Sequence, residues 1–163
     1  MRTLSPTRAI VLGTLVVGVL DALDAVVFFG LRSAVPPIRI FQSIAAGLLG
    51  GAAFQGGLGA AALGACLHFF IAFVVVATYH VVAKRARILT DRPVIFGLLY
   101  GVAVYFVMSR IVVPLSAAGG GGTPPLPVLV NGILIHAFGV GLPSALFARA
   151  ATPPSRYGAK WRS

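Results

Sequence analysis

Residues 9–31 read AIVLGTLVVGVLDALDAVVFFGL, and this stretch decides the class of fold. At 1.5 Å per residue it makes a helix of about 35 Å, enough to cross the roughly 30 Å hydrocarbon core of a bilayer. Fourteen of its residues are Val, Ile, Leu or Phe. On the insertion scale these return about 4–8 kcal/mol, whereas Asp21 and Asp24 together cost about 5–7 kcal/mol. The helix is only marginally inserted on its own, so its acids must face protein or water. Arg2 and Arg8 precede the run as they would in a signal peptide. The run continues to Leu31 without a small-x-small cleavage pair, so an uncleaved first helix is expected.

The rest of the chain repeats the pattern. Of 163 residues, 58% are hydrophobic and 10% are charged. Soluble domains carry about 25% charged residues, which excludes an ordinary soluble fold and a disordered chain. Three more runs are long enough to span: Leu58–Ala83, Val94–Leu115 and Leu126–Ala148. The expected fold class is all-α, a single integral membrane domain built as a bundle of four transmembrane helices. Between the first two spans lies 36–57, opened by Pro36-Pro37. Its apolar core, Ile44–Phe54, is too short to cross, so it is expected to lie on the outer surface as an amphipathic helix or to be re-entrant.

Thirteen Lys and Arg face three acids, a net charge of +10. The basic residues flank the apolar runs, so they read as topology signals and contacts to anionic lipid rather than a nucleic-acid surface. With the N-terminus inside, ten lie on the inner side: Arg2, Arg8, Lys84, Arg85, Arg87, Arg92, Arg149, Arg156, Lys160 and Arg162. Arg32 and Arg39 lie outside, and Arg110 is within the third run. Four spans with both termini in the cytoplasm satisfy that asymmetry. A fifth crossing at 36–57 would carry Lys84–Arg92 outward. The loop Ala117–Pro125 (AAGGGGTPP) reads as an outer turn, and Arg149–Ser163 as a basic tail anchored by Tyr157 and Trp161.

Polar residues inside the spans are the candidate site. Measured from the outer helix ends, Asp21, His68 and His136 lie about 15 Å deep, Asp24 about 10 Å, and Arg110 and Asn131 about 7 Å. His80 lies near the inner end and is expected at the interface. Small residues share the stripes of the polar ones: Gly64 and Ala72 with His68, Gly132 and Gly139 with His136, Thr14 and Gly18 with Asp21. Small residues mark helix contacts, so these side chains are expected to point into the bundle. Gly97 and Gly101 mark a close contact in the third span. Cys66, the only cysteine, reads as a packing residue, and Pro143 should kink the fourth span and free the Gly139 carbonyl.

Asp24 and Arg110 at similar depth are expected to form an ion pair. Asp21 beside a histidine can orient its ring or relay a proton. The leading expectation is a proton or small-ion pathway or sensor built from Asp21, Asp24, His68, Arg110, Asn131 and His136. A second is a non-covalent haem b between His68 and His136, since two histidines at one depth on different helices can supply axial ligands. A third is an accessory subunit of a larger membrane complex, or a homo-oligomer whose path runs between protomers. No phosphate loop, zinc-protease helix or Ser-His-Asp spacing is present, which points away from an enzyme.

From residue 65 to about 149 the layout resembles the YagU-type family of bacterial inner-membrane proteins. The matching points are His68 followed by an apolar run, the inner loop near Ile88, Pro114-Leu115, Pro124-Pro125 and Ile135-His136. The resemblance implies a bacterial inner membrane and no established chemistry.

Overall fold

The computed structural model describes residues 4–120 and 122–153. The readings placed on Arg2, Tyr157, Trp161 and the other residues of 154–163 lie outside them. The protein is all-helical, with no strand among the described residues. Five helical segments are long and apolar enough to cross a membrane: Pro6–Ser33, Pro37–Gln55, Gly57–Arg85, Pro93–Leu115 and Leu126–Ala150.

Helix α1 (Pro6–Ser33) starts where Ser5 accepts a hydrogen bond from the Arg8 N–H and Pro6 supplies a pre-set φ. It stops at Ala34, which takes the left-handed conformation (φ 51°) so that its N–H and that of Val35 return to the Gly30 and Phe29 carbonyls. Pro36 and Pro37 then turn the chain into α2 (Pro37–Leu49).

The segment expected to lie on the surface does something more specific. At 13 residues, α2 is about 20 Å long. Gly50, at φ 59°, breaks it, and a 3-10 turn (Gly50–Gln55) folds back along it. Arg39 Nη1 donates to the Phe54 carbonyl at 2.9 Å, and Gln42 Nε2 to the Gly57 carbonyl at 3.0 Å. The segment has the composition of a span but not the shape of a single rod. It packs backbone to backbone against α3 (Gly57–Arg85) at Gly64, where a Cβ would collide with the Phe41 carbonyl. The Gly47 carbonyl accepts from Ala117 N–H at 2.9 Å, so α2 also reaches the chain just after Leu115.

After a short α4 (Ile88–Asp91) come α5 (Pro93–Leu115) and α6 (Leu126–Ala150). Each contains one π-helical turn, Met108–Val112 in α5 and His136–Gly141 in α6. Each turn stands just ahead of a proline, Pro114 or Pro143. Proline has no N–H for the carbonyl four residues back, and its ring clashes with that carbonyl. Those carbonyls, of Arg110 and Gly139, fall inside the π turns, where an i→i+5 register absorbs the defect.

Small residues fill the interior and large ones face out. Helix α1 lies antiparallel to α3: Gly18 meets Phe69 and Gly13 meets Val76. Helices α5 and α6 cross where Gly97 and Gly101 of α5 meet Gly141 and the His136 carbonyl of α6. The central core is Val17, Ala72, Val76 and Val140, and a second core toward the C-terminal end of α3 is Tyr79, Ala83, Ala145 and Ala148. Leu23, Phe70, Leu99 and Phe138 are all more than half exposed. An apolar exterior around a small-residue interior is stable only in an apolar solvent. Cys66 belongs to that exterior rather than to the packing expected of it, because it lies two residues from both Gly64 and His68 and so on the opposite side of α3.

Candidate functional site

Helices α1, α2, α3, α5 and α6 line a cavity of about 590 Å³ at the end of the bundle covered by α2. Helix α2 covers it with Ile40, Ser43, Ile44 and Gly47, and residues of both π turns, Met108, Ser109 and Val112 of α5 and His136 and Val140 of α6, border it. Five of the six candidate residues line it: Asp21 and Asp24 from α1, His68 from α3, and Asn131 and His136 from α6.

The buried His68 is held by its Nε2, which lies 2.8 Å from the Gly18 carbonyl. A carbonyl can only accept, so Nε2 carries the ring proton and Nδ1 is left as the basic position. Nδ1 lies 3.9 Å from Asp21 Oδ2, the one ion-pair contact among the described residues. Gly18 is the residue that permits this, since its Cβ would strike the Phe69 ring that stands edge-on to His68. The ring therefore presents Nδ1 toward Asp21 with its orientation fixed by the Gly18 backbone.

His136 has the opposite tautomer. Its Nδ1 lies 2.9 Å from the Gly132 carbonyl, so Nδ1 donates and Nε2 is free. Its ring is edge-on to Tyr105 at 5.4 Å between centroids. Tyr105 occupies the space that a side chain at position 132 would need.

Asp24 does not pair with Arg110. Its Oδ2 accepts from Asn131 Nδ2 at 2.7 Å. Arg110 is exposed, lies outside the cavity lining, and forms no ion pair among the described residues. Depth along an axis is shared by every face of a helix, and Arg110 lies about 140° around α5 from Tyr105, on the other side. His80, expected at the interface, is 5% exposed, in the stretch of α3 packed against Ala145 and Ala148. Tyr105 and Ser109 line the cavity and escaped the sequence reading. The signal for Tyr105 was its spacing from Gly97 and Gly101, at i, i+4 and i+8 on one face.

The Asp24–Asn131 pair also lines a second, more open hollow of about 550 Å³, with Val27, Phe28, Leu31 and Arg32. The pair, with Phe28, thus lines both the cavity and a groove at the C-terminal end of α1.

Among the described residues no three His, Cys, Asp or Glu side chains are grouped to hold a metal ion. Axial ligation of haem by the usual Nε2 of both histidines would require His68 to leave the Gly18 carbonyl. Compared with protein-family models, with curated proteins and with solved structures, the chain matches none of them.

Proposed function

We propose that this protein crosses a bacterial inner membrane four times, with both termini in the cytoplasm, and moves or senses protons or small ions through the cavity between α1, α3, α5 and α6. The observation that carries the reading is the Asp21–His68 pair. It is a carboxylate and a basic ring nitrogen 3.9 Å apart, with the other nitrogen pinned to backbone, inside a cavity that also holds Asp24, Asn131 and His136. Ionisable groups at membrane depth are costly and mark proton and ion routes. The four-span topology is favoured by the break in α2 at Gly50 and by the ten-to-two distribution of basic residues. The YagU-type likeness bears on the membrane and not on the chemistry.

The test is proton flux into proteoliposomes under an imposed pH gradient. Asp21→Asn and His68→Gln should abolish flux while the purified variants keep the elution profile and helicity of the parent. Undiminished flux in both variants overturns the reading.

A further inference from the structure

The cavity is larger and more apolar than a proton or a small ion requires. Its volume, about 590 Å³, lies in the range of pockets that take whole organic molecules. Most of its walls are aliphatic or aromatic, Val17, Phe28, Ile44, Ile71, Val104 and Ile135 among them. Two carboxylates, Asp21 and Asp24, stand in this wall, and among the described residues no Lys or Arg does. The partners they have are neutral or only conditionally charged. Asp24 has the Asn131 amide, and Asp21 has the His68 ring. No described residue places a fixed positive charge in the wall beside them. The cavity therefore offers one place that either protons or a cation can fill, and its walls favour a cation with an apolar body.

We propose that the cavity binds an organic monovalent cation with a hydrophobic body, and that the cation exchanges there with protons on Asp21 and Asp24. This rests on the preceding reading and names its substrate class. The groups facing the site from each element are Asp21 and Asp24 of α1, His68 of α3, Tyr105 of α5 and His136 of α6, with Ser43 the polar group from α2. Arg32 stands beyond Asp24, in the outer groove. Protonation of either carboxylate removes attraction, and protonation of either histidine adds repulsion. Every step of acidification weakens cation binding, so the sign is the same for all four. Phe28, Phe29 and Tyr105 add aromatic rings to the lining, the side-chain class that attracts cations.

The experiment is equilibrium dialysis of the detergent-purified full chain against tetraphenylphosphonium, with tetraphenylborate as a control of the same shape and opposite charge. Saturable phosphonium binding that weakens as the pH falls, with little borate binding, is expected. Asp24→Asn and Asp21→Asn should each lower phosphonium affinity about tenfold or more, the scale of one lost charge contact. Asp24→Asn keeps an acceptor for Asn131, so a folded variant is available, and thermal melting checks it. Equal binding of the two ions, no saturable phosphonium binding, or binding indifferent to both substitutions overturns the proposal. Proton flux in the same preparations separates the two readings. Flux that depends on Asp21 without phosphonium binding removes only this proposal, whereas phosphonium binding without flux removes only the earlier one.

Discussion

Asp24 and Asn131, 107 positions apart in the chain, are joined by a 2.7 Å hydrogen bond, and both line the cavity as well as the groove at the C-terminal end of α1. The bond ties α1 to α6 through two half-buried side chains. Interhelical hydrogen bonds in membranes contribute about 0.6 kcal/mol on average and up to roughly 1.7 kcal/mol. Asn131→Leu should therefore lower stability by about 1 kcal/mol in detergent melting. Asp24→Asn keeps a carbonyl oxygen for the Asn131 amide and should melt close to the parent. The pair is held by charge rather than by hydrogen bonding if Asp24→Asn proves the more damaging of the two.

The α5–α6 crossing depends on glycine in a graded way. A Cβ at position 101 would run into the His136 carbonyl, which belongs to the backbone and cannot step aside. At position 97 it would meet Ala145 Cβ at 2.9 Å and the Gly141 carbonyl at 3.0 Å. Overpacking of this kind costs about 1–3 kcal/mol. Gly101→Ala should fall at the upper end and Gly97→Ala lower, and Gly101→Ala should also displace His136 from Tyr105. Chemical denaturation of the two variants in mixed micelles checks the order, and the crossing is misplaced if Gly97→Ala is the worse.

Much of this arrangement could be read from residue types alone, and the parts that could not share one cause. Apolar run lengths bounded the helices because the thickness of a bilayer is fixed. The stripes Gly64–His68–Ala72 and Gly132–His136–Gly139 marked inward faces because only small residues let helices approach in lipid. Arg110 and Asp24 share a depth but not a face, and the π turn at Met108–Val112 shifts the face again by an extra residue. The inward packing of α2 rests on the contact between Gly64 and the Phe41 backbone, and nothing local to residues 37–55 announces it. Asn131 was recognised as polar and buried, but its choice of Asp24 follows from how α1 and α6 pack.

The two cavity histidines should differ in tautomer. With Nε2 of His68 on the Gly18 carbonyl and Nδ1 of His136 on the Gly132 carbonyl, their neutral rings carry the proton on opposite nitrogens. Nitrogen-15 spectra of histidine-labelled protein at alkaline pH, assigned with His68→Gln and His136→Gln, should show one ring of each kind. Two identical tautomers would remove the fixed orientation on which the Asp21–His68 proton site depends.

The fold-back of α2 makes a topological prediction that separates four crossings from five. Residues 33 and 59 flank the segment, and both are exposed. A Cβ at Gly59 meets nothing within 4 Å, so a cysteine is tolerated there. If α2 turns back at Gly50, both ends of the segment emerge on the same side of the membrane. If Pro37–Gln55 crosses as a rod, they emerge on opposite sides. Cys66 is itself exposed and must first be replaced by alanine. In that background Ser33→Cys and Gly59→Cys should react at comparable rates with a membrane-impermeant maleimide added to intact cells from outside. Protection of Gly59→Cys until the cells are opened, with Ser33→Cys reactive throughout, would establish the fifth crossing and carry Lys84–Arg92 to the outer face against the positive-inside rule.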